Sequence, residues 1–198
     1  DGSKFENFSL EDGLNHNTVW AIHSQHGVIW FGTHNGVCRY KDGEFAYLEP
    51  HDKGGISYVW IVRAIHSSPN GTVWFGTIGG VYQYNGRELI RFDEEGGLLN
   101  TGVHAICGEP DGSIWFGCSN GLSRYDGKGF VNFTRQEGFI NTGVTALYCD
   151  SDGVLWVGTG GGGVFQYDGE TLLNLTTKDG LANSYVYATY RAPEGVLW

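Results

Sequence analysis

The sequence predicts an all-β protein, a β-propeller of four-stranded antiparallel blades. Three observations carry this. A Trp-centred segment returns every 41 to 44 residues, two further segments return in phase with it, and the composition is rich in glycine and aromatic residues. Among 198 residues there are 33 Gly, 7 Trp, 11 Tyr and 11 Phe. Aromatic and β-branched residues beside abundant Gly favour strands and tight turns over helices.

The Trp segments are VIWFGT, TVWFGT, SIWFGC and VLWVGT, holding Trp30, Trp74, Trp115 and Trp156, with a fifth copy ending at Trp198. Upstream of each lies a short apolar V-x-A-I element: VWAI, VRAI, VHAI, VTAL and VYAT, starting at Val19, Val62, Val103, Val144 and Val186. It predicts the first strand, and turns such as Pro69-Asn70-Gly71 and Ser151-Asp152-Gly153 lead from it to the Trp strand. Downstream, GVCRY, GVYQY, GLSRY and GVFQY predict a third strand, reached through Gly-rich turns. Asp42-Gly43, Asn85-Gly86, Asp126-Gly127 and Asp168-Gly169 then turn into a fourth, more polar strand. Four strands in each unit of roughly 40–45 residues are the pattern of a propeller blade.

Residues 1–198 thus divide into units of approximately 15–56, 57–99, 100–140 and 141–182, with 183–198 and 1–14 as parts of a fifth. If the ends meet, Lys4–Phe8 supplies the outer strand of that fifth blade and Val186–Trp198 its inner part. The expectation is a five-bladed ring with the last blade shared by both termini; the alternative is an arc of a seven-bladed ring.

The run V-x-A-I, a D/N-G turn, then L-W-F-G-T-x-x-G-V-x-x-Y resembles the two-component regulator propeller repeat, over nearly the whole chain. Cys118 departs from the Thr found at Thr33, Thr77 and Thr159, and Gly160–Gly163 holds an extra Gly. The resemblance implies a sensor region of a bacterial hybrid histidine kinase, periplasmic or extracytoplasmic, that detects a glycan or another small molecule.

Charge narrows the partners. Twelve Lys and Arg against 22 Asp and Glu give a net charge of −10, which repels phosphate backbones and argues against nucleic acid. No apolar run is long enough to insert in a bilayer. The opening DGSKFENFSLEDG is polar and unlike a signal peptide, although a piece cut from a longer protein would lack one in any case. Cys38, Cys107, Cys118 and Cys149 do not recur in phase and form no CxxC. They are expected to be four free thiols, with Cys107 and Cys149, on successive first strands, the pair to check for a disulfide.

Repetition supplies a control for function. A residue found in every unit serves the scaffold; one that changes at a shared mouth is free to meet a ligand. The repeated Trp residues are scaffold by this test, filling space between blades. The variable residue of V-x-A-I is Trp20, Arg63, His104, Thr145 and Tyr187. With Tyr58, Trp60 and Tyr185 just before it, these positions ring one mouth of a propeller. Trp20, Tyr58, Trp60, Tyr185 and Tyr187 are the candidate stacking surfaces, and Arg63 and His104 the candidate polar anchors. Packing between blades is the better account of Trp20 and Tyr187. Arg63 and His104 suit packing and a ligand equally.

Other motifs dissolve into turns. Gly158–Gly163 fits G-x-G-x-x-G, but a strand follows it where a nucleotide fold needs a helix. His23 and His26 have a helical metal-pair spacing on a strand. Asp150-Ser151-Asp152-Gly153 lacks the later ligands of a calcium loop. No metal or cofactor is expected, and Arg63 with His104 is a thin set for acid–base catalysis. The chain is therefore expected to be a binding module and not an enzyme. A protein–protein scaffold is the alternative, and a propeller-fold lyase or glycosidase a more distant one.

Overall fold

A computed structural model describes residues 5–49, 60–139, 143–190 and 192. It contains four antiparallel sheets of four strands, each following chain order. The first is β1 (Val19–Gln25), β2 (Val28–Thr33), β3 (Gly36–Lys41) and β4 (Glu44–Leu48). The second is β5 (Val62–Ser67), β6 (Val73–Thr77), β7 (Gly80–Tyr84) and β8 (Leu89–Phe92). The third is β9 (Val103–Gly108), β10 (Ile114–Cys118), β11 (Gly121–Tyr125) and β12 (Phe130–Phe133). The fourth is β13 (Val144–Cys149), β14 (Leu155–Thr159), β15 (Val164–Tyr167) and β16 (Leu172–Leu175). Neighbouring sheets meet through their first strands, β1 on β5, β5 on β9 and β9 on β13, so these are the inner strands of successive blades.

The motif residues explain the stacking. Trp30 packs edge-on against Phe75 and Tyr84 of the next blade, at 5.6 and 5.9 Å between ring centroids. Trp74 repeats this on Phe116 and Tyr125, and Trp115 on Tyr167. The Gly of each W-x-G-T leaves room for the Val that opens the next inner strand. A Cβ on Gly32, Gly76, Gly117 or Gly158 would stand 2.7, 2.8, 2.5 or 2.9 Å from Val62, Val103, Val144 or Val186. Val186 therefore takes, beside the fourth blade, the place that the other Val residues take beside theirs. Tyr185 bridges to Gly160, and the Val186 N–H donates to the Thr159 carbonyl. Phe5–Phe8, expected as part of an outer strand, and Tyr187–Tyr190 form no strand, and the remaining parts of the expected fifth blade, residues 1–4, 191 and 193–198, lie outside the described residues.

Each buried Thr of the motif closes its hairpin. Thr33, Thr77 and Thr159 donate to the carbonyls of Gly36, Gly80 and Gly163 and accept from the N–H of Asn35, Gly79 and Gly162. Cys118 keeps the place, with its thiol near the Phe116 carbonyl and its pKa pushed up to about 11 by burial.

Among the described residues helix is confined to short 3-10 turns. Those at Arg135–Glu137 and Thr177–Asp179 follow outer strands, and the one at Leu10–Asp12 precedes the first blade. Ser9, Thr134 and Thr176 cap them, and Asp12, Glu137 and Asp179 return the bond to the cap N–H.

The far ends of the inner strands correct the expectation of four free thiols. Cys107 and Cys149 form a disulfide between the third and fourth blades, with Cα atoms 5.9 Å apart, while Cys38 and Cys118 are free and buried. The bridge can form because the fifth residue of each V-x-A-I strand meets the sixth of the next. His23 bonds Ser67 at 2.6 Å, and the His66 ring lies against Gly108, where a Cβ would come within 2.5 Å of Nε2. Cys107 and Cys149 occupy the same pair of positions, one repeat further on.

His66 is partly buried there, its pKa brought down to about 4 by burial and then by His23. The unfolded chain binds this proton near pH 6.5, so between roughly 6.5 and 4 it holds more protons than the folded one. Stability is expected to fall as pH drops through that window, by at most about 3 kcal/mol from this group. Urea melts across pH should show the fall, and His66→Gln should flatten it.

Candidate functional site

Every described inner strand carries a β-bulge at the variable position of V-x-A-I. In the first blade Val19 faces Thr33 and Ala21 faces Gly32, which leaves Trp20 without a partner residue. Arg63, His104 and Thr145 are skipped in the same way. A bulge adds one residue to one strand and re-aims its side chain. The scaffold thereby offers one unpaired, variable residue per blade at the end where the inner strands begin.

Three of these side chains come together. The Arg63 guanidinium lies over the Trp20 ring, 4.8 Å from its centroid. Trp20 is 48% exposed, so it retains open ring surface. His104 comes next, its Nε2 3.0 Å from the Ser119 hydroxyl. Burial, and then the neighbouring Arg63 charge, hold the His104 pKa below its usual value, which keeps the imidazole neutral at pH 7. Thr145, on the fourth blade, donates to the carbonyl of Val186.

The other candidates separate. Tyr185 and Tyr187 are exposed on the segment beside the fourth blade, Tyr185 against Gly161. Among the described residues no ring contact or hydrogen bond joins them to Trp20, Arg63 or His104. Trp60 departs from the expectation of a stacking surface. It is buried, 4.7 Å from Tyr82 and tight against Gly36, and fills the joint between the first and second blades. The preference for packing at Trp20 is likewise reversed by its exposure. Tyr58 lies outside the described residues.

Ser119, not singled out by the sequence analysis, belongs to this mouth. Its position holds His34, Ile78, Ser119 and Gly160 in successive blades, so the same test of variation would have found it. In the first blade His34 stacks near His16, with centroids 5.2 Å apart. The opposite end has a cleft of about 280 Å³ lined by His66, Pro69, Glu109, Pro110, Cys149 and Asp150. Asp150 there accepts from the N–H of Asp152 and Val154, the turn chemistry expected for that segment. Among the described residues no group of His, Cys, Asp and Glu is arranged to hold a metal ion.

A family model described as the two component regulator propeller matches residues 97–120 and 138–161, the loops and first two strands of the third and fourth blades.

These two stretches are two-component regulator propeller repeats.

No curated protein matches the chain's sequence. Among solved structures, the repeats superpose on the extracellular domain of a protein from B. thetaiotaomicron described as the hybrid two component system BT3049. The TM-score is 0.82 at 25% identity, covering 93% of this chain and 26% of that one. The chain therefore spans about a quarter of that extracellular domain's length. The extracellular domain of BT4673 from the same organism gives a TM-score of 0.53 at 22% identity, covering 94% and 32%. Virginiamycin B lyase from Staphylococcus aureus gives 0.70 at 17%, covering 93% and 64%, and shares the fold alone. No helix among the described residues is long and apolar enough to cross a membrane.

Proposed function

We propose that this chain is the ligand-binding part of a sensor propeller, and that the ligand, a glycan or other small molecule, sits at the mouth where the inner strands begin. The observation that carries this is the bulge series. Four equivalent, unpaired positions hold four different side chains on a scaffold that otherwise repeats, and Trp20, Arg63 and His104 stand side by side. A scaffold alone requires no such variety. An exposed aromatic face with a few fixed polar groups suits a sugar ring. The mouth offers no adjacent acid and base, which favours binding over catalysis. The inter-blade disulfide and the extracellular domains that share the repeats support an extracytoplasmic address, and signal transduction as the larger role.

A glycan array and small-molecule screen on the wild-type chain, compared with a Trp20→Ala, Tyr185→Ala double variant, tests this. The double variant is expected to bind any ligand at least tenfold more weakly, about 1.4 kcal/mol. Unchanged binding by a variant with unchanged melting temperature would reject the mouth and favour a protein–protein scaffold that uses the sides of the blades.

A further inference from the structure

We propose that Cys149 is a thiol-exchange site. A thiol of low molecular weight enters the cleft at the far end of the inner strands, attacks the Cys149 sulfur and is held there as a mixed disulfide.

The two halves of the Cys107–Cys149 bridge are unequal. Cys107 is 8% exposed and belongs to the core between the third and fourth blades, with Trp115, Leu122 and Phe139. Cys149 is half-buried and lines the cleft of about 280 Å³. Pro69, Pro110, Gly112 and Ser151 belong to the same lining and are exposed, so the cleft opens to solvent. Its volume stands at the small end of ligand-sized cavities, which suits a small thiol. Exchange proceeds by attack of a thiolate on one disulfide sulfur, and access decides which. Here access points to Cys149.

The step balances with that thiol as the only added reactant. The thiolate forms a bond to Cys149 Sγ, the Sγ–Sγ bond breaks, and its electron pair leaves on Cys107 Sγ, which takes a proton. The bridge is reduced and the incoming thiol is oxidised. Burial disfavours a thiolate at Cys107, so opening is slow. Cys107 then lies beside the mixed disulfide, and its return attack restores the bridge when the small thiol is removed.

The joint between the blades does not depend on the bond. The equivalent pairs one and two repeats earlier are the contact of His66 with Gly108 and the His23–Ser67 hydrogen bond, neither of them covalent. Between the third and fourth blades, Trp115 and Phe133 also pack on Tyr167, and Gly117 receives Val144. Opening the bridge therefore leaves these blades packed. Cys38 and Cys118 supply the contrast, since both are free thiols at 0% exposure and neither lines the cleft. They report unfolding, because a reagent reaches them only when the blades open.

The test incubates the oxidised, folded chain at pH 8 with cysteamine, whose ammonium suits a wall that includes Glu109 and Asp150. Acid quenching and peptide mass spectrometry then locate the adduct. The expected result is cysteamine on Cys149 and a free Cys107 thiol, formed before a parallel sample exposed to iodoacetamide shows alkylation of Cys38 or Cys118. In single variants treated with cystamine, Cys107→Ser should be modified at Cys149 at least tenfold faster than Cys149→Ser is at Cys107. An adduct on Cys107 in the wild-type chain, or equal rates in the two variants, would overturn the proposal. So would a bridge that opens only as fast as Cys38 and Cys118 become alkylated, since exchange would then follow unfolding and not the cleft. A wild-type chain that shows four thiols before any reduction would remove the site altogether.

Discussion

Truncation of Trp74 to Ala is expected to cost about 3–5 kcal/mol, the range for removing a large buried ring whose cavity cannot collapse. Trp74 is 2% exposed and touches Phe92 in its own blade and Phe116 and Tyr125 in the next. Its indole N–H donates to the Ser68 hydroxyl at 3.3 Å, so the truncation also leaves that hydroxyl without this donor. The loss falls on a joint between blades, so it should appear in equilibrium denaturation as a lower midpoint. Trp20→Ala is the matched comparison. Trp20 is about half exposed and touches Arg63, so its removal should cost well under half as much. Equal losses at the two positions would mean that Trp20 is core, and would undercut the binding mouth.

Reduction of Cys107–Cys149, or the Cys107→Ser, Cys149→Ser double variant, is expected to lower stability by about 2–4 kcal/mol. The bond spans a sequence separation of 42 residues and ties two blades at their inner strands, so it limits the separation of those blades in the unfolded chain. Its counterparts between earlier blades are the His23–Ser67 hydrogen bond and the contact of His66 with Gly108, neither of which constrains the unfolded state. Thiol titration of the unfolded, unreduced chain should find two groups, Cys38 and Cys118, and four after reduction. Four before reduction would show that the bridge is absent, and would remove the support it gives to an oxidising compartment.

The sequence by itself determined the strands, their order and the scaffold. V-x-A-I, W-F-G-T and G-V-x-x-Y recur in phase, and each serves a contact that a blade needs: Val on the preceding Gly, Trp on the following Phe and Tyr, Thr across its own hairpin. Such contacts are local or fall one repeat apart, so a periodic sequence displays them. It also singled out the variable residue of V-x-A-I, because repetition inside one chain separates what every blade requires from what only one uses.

Tertiary structure alone decided which of these residues meet. The bulge that frees Trp20, Arg63 and His104 is a matter of register between strands, and no composition signals it. Trp60 and Trp20 look alike as aromatic residues near a strand start, yet one is clamped between Gly36 and Tyr82 and the other is open. The disulfide needed the same information. Cys107 and Cys149 are out of phase by one residue, and only the stagger between adjacent inner strands, fifth residue against sixth, brings out-of-phase positions together. Period fixes what each blade is made of; the offset between blades is set by packing and decides which side chains become neighbours.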